Sequence, residues 1–279
     1  MFTCIPSRFL TLCTLAIGLA AAPAAALDSG WATTEGARMR LLVDPARTGD
    51  GRIAGVLDIE LEPGWKTYWI DPGGSGIPPT VDLAGSQGIS LDAMRLPAPV
   101  RVDDGYSVWA GYKHSVRFAL DFAAPDAAQL EANIFIGVCE KICIPFQSSF
   151  SLAIPGPDSQ PTTGSETARV VASAKMALPE APGQDFSIAP PRFDAAAKTL
   201  TVSLTLPADQ TNETVPDLFI SGQPYWTFAP PRLAERTGRT AVFTIPVALA
   251  PIDAAKRARP LDIVATFGSR AIEVKLPAQ

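Results

Sequence analysis

The stretch that decides the fold class is Gly55-Val56-Leu57-Asp58-Ile59-Glu60-Leu61, then Pro63-Gly64, then Lys66-Thr67-Tyr68-Trp69-Ile70. Apolar residues alternate through its first part, which places successive side chains on opposite faces of a β-strand. Pro63-Gly64 marks a turn, and the aromatic run after it reads as the next strand. The same signature spreads in both directions. Residues 39–43 precede it, and residues 80–83, 116–122, 131–136 and 149–154 continue it. Short strands at this spacing predict an antiparallel immunoglobulin-like sandwich over residues 27–156.

Beyond that unit, residues 157–184 read as a linker carrying one helix over 165–178. Ser165 is the expected N-cap, Glu166 lies in the first turn, and Pro179 stands just past the end. Ala168, Val171, Ala172, Lys175 and Met176 fall near helical spacing, so the helix is expected to bridge two domains. Residues 185–279 return to β patterning at 199–206, 218–221, 240–246, 263–267 and 271–276. This second unit contains neither cysteine nor histidine. Its aromatic run Tyr225-Trp226-Thr227-Phe228 reads as packing. The expected fold is therefore all-β, with two immunoglobulin-like antiparallel sandwiches in tandem. The 27 prolines in 279 residues agree, because proline breaks long helices and suits strands joined by turns.

Residues 1–26 read as a cleaved signal peptide. Arg8 supplies the positive n-region, residues 9–22 are apolar, and Ala24-Ala25-Ala26 is a small-residue cleavage site. Cleavage after Ala26 removes Cys4 and Cys13 and leaves Cys139 and Cys143 as the mature chain's cysteines. No later segment is apolar and long enough to span a bilayer. The expected location is the periplasm, an oxidising compartment where paired thiols form disulfides. A net charge of -5 without basic runs excludes nucleic acid as a natural partner.

The chemistry concentrates in Ile136-Gly137-Val138-Cys139-Glu140-Lys141-Ile142-Cys143-Ile144-Pro145. In an extended strand, residues four apart lie about 13 Å from one another. A disulfide needs Cα atoms within about 7 Å, so the chain must bend between the two cysteines. A bridge over so short a loop constrains the unfolded chain little. Redox exchange, a small structural bridge and metal binding all fit the residues. Two thiolates joined by His114, the only histidine, would suit a soft ion such as copper(I). Glu140 and Lys141 push a thiol pKa in opposite directions. Hydrolytic and nucleotide chemistry lack support. No Gly-x-Ser-x-Gly elbow occurs, and Gly73-Gly74-Ser75-Gly76 leads into Pro78-Pro79 in place of a helix.

Three motifs occur in order: Gly64-Trp65-Lys66-Thr67-Tyr68-Trp69, then Pro72-Gly73-Gly74-Ser75-Gly76-Ile77-Pro78-Pro79, then Val138-Cys139-Glu140-Lys141-Ile142-Cys143-Ile144-Pro145. Together they resemble the periplasmic N-terminal region of the DsbD/ScsB thiol:disulfide interchange proteins, most strongly over residues 30–155. The cysteine spacing fits the ScsB-like branch better. The resemblance implies a redox-active pair at Cys139 and Cys143, shielded by an aromatic and acidic cap loop. Asp103 and Tyr106 fall where that loop is expected, and Tyr68 matches an aromatic beside the pair. It also implies a protein-disulfide reductase type of activity without a cofactor. The expected partners are a separate membrane thiol carrier as electron donor and an oxidised periplasmic protein as client. Full-length members continue into a multi-helix membrane module and a thioredoxin-like domain, neither of which occurs in this sequence. A copper-handling module and an interaction domain with a structural disulfide are the rival readings.

Overall fold

The computed structural model describes residues 27–103, 105, 107–157, 165–208, 213–222, 226–249 and 260–277. The expected signal peptide, Tyr106 and Tyr225 lie outside them.

Strands β1 (Leu27–Asp28), β2 (Ala32–Thr34), β3 (Ala37–Asp44), β4 (Arg52–Leu61), β5 (Lys66–Tyr68), β6 (Thr80–Asp82), β7 (Ser90–Arg95), β8 (Val100–Asp103), β9 (Val108–Tyr112), β10 (Val116–Ala123), β11 (Ala128–Cys139) and β12 (Cys143–Ile154) build the N-terminal sandwich. One sheet runs β1-β3-β4-β10-β7, with β2 also on β3. The facing sheet runs β12-β11-β5-β9-β8, with β6 also on β11. Every pairing is antiparallel, as in Val116↔Ile59 through Ala123↔Arg52. Leu41, Leu57, Ile59, Phe118, Leu120, Phe122, Ile134 and Ile136 interdigitate between the sheets at 0–2% exposure. Each such side chain contributes about 1.5–3 kcal/mol of burial free energy.

The helix α1 (Glu166–Met176) begins as expected, with the Ser165 hydroxyl accepting from the Ala168 amide. It packs on the outer face of β3, β4 and β10, where Val171 and Ala174 close over Val56. Its buried face is therefore Thr167, Val171 and Ala174, while Ala172, Lys175 and Met176 face solvent. This helix explains why β4 is buried on both faces. Asp58, the polar residue in that alternating run, is 2% exposed and lies between two arginines. Arg40 donates to its Oδ2 at 3.1 Å and Arg117 to its Oδ1 at 2.9 Å. A carboxylate can be buried here because both oxygens are matched by charged donors.

Strands β13 (Ser187–Ile188), β14 (Arg192–Asp194), β15 (Thr199–Thr205), β16 (Asp217–Ser221), β17 (Trp226–Phe228), β18 (Arg232–Thr237), β19 (Thr240–Leu249), β20 (Leu261–Phe267) and β21 (Arg270–Leu276) form the second sandwich. Its larger sheet runs β13-β15-β19-β17, with β14 on β15 and β18 on β19; its smaller sheet runs β16-β20-β21. Leu200, Val202, Leu204, Phe243, Ile245, Ile263 and Ala265 fill the core between them. Two members of the small sheet, Phe219 and Val264, pack into the first core instead.

Candidate functional site

β11 and β12 form a long hairpin whose last pair is Cys139↔Cys143. The bend required by the sequence is the turn over Glu140, Lys141 and Ile142. It brings the two Cα atoms to 4.1 Å, and the cysteines are joined as a disulfide. Their environments differ. Cys139 is 1% exposed, whereas Cys143 opens β12 at the surface beside Ile142, itself 74% exposed.

The neighbouring strand β5 explains the first motif residue by residue. Gly64 takes a φ of 89°, which only glycine adopts without strain, and turns the chain into the sheet. Thr67 is buried and donates its hydroxyl to the Gly137 carbonyl at 2.9 Å, locking β5 to β11. Lys66 and Tyr68 emerge on the opposite face from Thr67, as strand alternation requires. Tyr68 Oη donates to Cys139 Sγ at 3.0 Å and lies 3.3 Å from Cys143 Sγ, so one phenol spans both sulfurs. Its ring stands edge-on to Trp109 at 5.9 Å, and Lys66 Nζ sits 4.5 Å over that indole. Tyr68, Trp109 and Cys139 form a buried cluster of their own, packed by Ile77 and Val102.

The second motif supplies the other wall. A Cβ on Gly76 would lie 2.8 Å from the Tyr68 ring, and one on Gly137 would lie 3.2 Å from its other edge and 2.5 Å from Ile77. The two glycines thus let the 72–79 loop and β11 close on the phenol. A shallow cleft lined by Lys66, Tyr68, Ser75, Ser107, Glu140, Lys141 and Cys143 leads from solvent to the exposed sulfur.

Asp103 ends β8 in an exposed position and accepts the Gly105 amide at 2.9 Å, shaping the β8–β9 turn. His114 is exposed on the turn after β9, and among the described residues no group of three or more His, Cys, Asp or Glu side chains could hold a metal ion. Sequence reasoning missed Trp109, and it placed Val102 in the expected cap segment without a role of its own. Both join the site through β8–β9 pairing, which no local pattern around them announces.

Residues 41–155 match the family model described as Thiol:disulfide interchange protein DsbD, N-terminal. The match is confined to this segment, which is similar to that family's N-terminal region. The DsbD-type segment contains all three motifs and both cysteines, so the resemblance drawn from the motifs holds. Across 91% of this chain and 99% of the other, the structure superimposes on the N-terminal periplasmic domain of ScsB from Proteus mirabilis, with a TM-score of 0.67 and 22% identity. That likeness establishes a shared fold through both sandwiches. The conserved domain protein from Bacillus anthracis aligns at a TM-score of 0.23 and 9% identity over 85% of this chain and 75% of its own, too poorly to support a conclusion. No curated protein is significantly similar in sequence. Among the described residues no helix is long and apolar enough to cross a membrane.

Proposed function

We propose that this protein is a periplasmic thiol-disulfide interchange protein that relays electrons through the Cys139–Cys143 pair. They come from a membrane thiol carrier and pass to an oxidised periplasmic protein. The observation that carries this reading is the asymmetry of the pair. One sulfur is presented to solvent, the other is buried, and a phenol hydroxyl reaches both.

That asymmetry supports a division of roles. A donor thiolate attacks the accessible Cys143 Sγ. The S–S bond breaks, and its electron pair goes to Cys139 Sγ as a thiolate. Tyr68 Oη, already 3.0 Å away, donates to that charge and makes Cys139 a better leaving group. The donor's second thiol attacks its own sulfur in the mixed disulfide and releases Cys143. The donor is now oxidised by two electrons and the pair reduced by two. In the client half-reaction, the Cys143 thiolate attacks the client disulfide, and the departing client sulfur takes a proton. Cys139 then attacks Cys143 Sγ, re-forms the bond and frees the client as a dithiol. Ile142 offers the approaching partner an apolar contact beside the reacting sulfur.

The test is a Cys139→Ala variant expressed in periplasm. It retains the attacking sulfur but lacks the resolving one, so it accumulates a mixed disulfide separable on a non-reducing gel and identifiable by mass spectrometry. Absence of any adduct, together with a potential below about -300 mV for the native pair, would leave a structural bridge as the better account.

A further inference from the structure

The relay leaves the second sandwich without a task, and strand β8 supplies one. Neighbouring residues on β8 point in opposite directions. Val102 packs on the Tyr68–Trp109–Cys139 cluster. Arg101 reaches the second sandwich, where its Nε lies 3.1 Å from both carboxylate oxygens of Asp217 and its Nη2 donates to the Leu218 carbonyl. The guanidinium also stacks 4.6 Å above the Phe219 ring. Strand β5 and the residue that follows it repeat this division. Tyr68 faces the sulfurs, while Trp69 meets Phe219 edge-on at 6.0 Å, and Phe219 is 2% exposed. Each strand thus places one residue on the disulfide cluster and its neighbour on the second sandwich.

We propose that Arg101 is a positioning residue for the Cys139–Cys143 couple: by anchoring β8 to Asp217, Leu218 and Phe219, it holds Val102 against the cluster and keeps Cys139 covered. The second sandwich is then a buttress for the reactive end of the first. This rests on the thiol-disulfide reading of that couple. An anchor formed by a cation on a carboxylate and a carbonyl is among the stronger kinds of hydrogen bonding, and here it joins residues 116 and 117 positions apart. Losing it raises the population of locally open states in β8, and in those states Cys139 Sγ becomes a second point of attack beside Cys143 Sγ.

The experiment is the rate at which dithiothreitol reduces the disulfide in the full chain, followed by thiol labelling, with the reduction potential measured alongside. Arg101→Ala is expected to accelerate reduction about tenfold, and Asp217→Asn to do so to a smaller extent. The double reversal Arg101→Asp with Asp217→Arg restores the opposed charges and is expected to return the rate towards the native value. Arg270→Ala removes ion pairs to Glu180 and Asp185 within the second sandwich and is expected to leave the rate unchanged. Should Arg101→Ala fail to fold by circular dichroism, Asp217→Asn decides. A rate within about twofold of native in the folded variants overturns the proposal, as does equal acceleration by Arg270→Ala. Dithiothreitol needs no biological partner. Faster reduction of Arg101→Ala alongside no adduct from Cys139→Ala would keep the buttress and reject the relay.

Discussion

Each sandwich contains a cluster of large aromatic side chains, and the two clusters serve different ends. In the second sandwich, Trp226 lies between Phe193 at 5.1 Å and Phe228 at 5.8 Å, and the group merges with the main core. In the first, Tyr68 and Trp109 stand apart from the main core and enclose a sulfur. One cluster joins aromatics to aliphatics and yields burial energy. The other aims a hydroxyl at a reactive bond and backs it with a cation-covered indole. A run of aromatics in a β protein therefore does not by itself announce a site. What distinguishes the two is whether the polar end of a ring finds a group that can change its charge.

The largest expected break in this comparison is chemical. Replacing Cys143 with Ala removes the accessible sulfur and is expected to abolish exchange with any protein disulfide, measured by insulin reduction or by adduct formation, while both cores stay folded. The next concerns the inert cluster. Trp226→Ala is expected to cost about 3–5 kcal/mol in denaturant unfolding and to leave the dithiothreitol reduction rate at its native value. A changed rate there would erase the distinction drawn between the clusters.

A subtler substitution separates ring from hydroxyl. Tyr68→Phe keeps the edge-on contact with Trp109 and deletes the hydroxyl that donates to Cys139 Sγ and touches Cys143 Sγ. Stability should fall by about 1 kcal/mol or less. Reduction by a small thiol should slow by about three- to tenfold, because the departing Cys139 thiolate loses its hydrogen bond.

The smallest effect belongs to Asp71, beside Trp69 in the cleft between the sandwiches. Burial raises its carboxyl pKa above the usual 3.8, with the Gly73 amide opposing that shift. A carboxyl whose folded pKa exceeds its unfolded one stabilises fully below the unfolded value and loses that contribution as pH rises through the folded value. Asp71→Asn is therefore expected to raise the unfolding midpoint slightly at pH 7. The difference should vanish below pH 3.8, and scanning calorimetry at the two pH values checks it.

Much of the site was legible before any fold was known. The four-residue cysteine spacing demands a bend, and the order of the three motifs places Tyr68, the 72–79 loop and the cysteines in one family pattern. Asp103 followed from the resemblance, and its carboxylate is engaged with its own turn. Trp109 was not legible, because its role depends on β9 pairing with β5 and β8. The helix illustrates the same limit. Its caps were readable from Ser165 and Pro179, but its buried face turned out to be Thr167, Val171 and Ala174, chosen by the sheet beneath it.

Sequence alone determined the alternation that makes strands, the turns that end them, and the short spacing that brings Cys139 and Cys143 together. These are local properties, set by side-chain period, backbone freedom and chain length. Only the tertiary structure decided which cysteine is buried, which hydroxyl reaches the sulfurs, how Asp58 can be buried between two arginines, and that Arg101 meets Asp217. Those depend on residues far apart in the chain, and their energies exist only once packing has excluded water and fixed the distances between them.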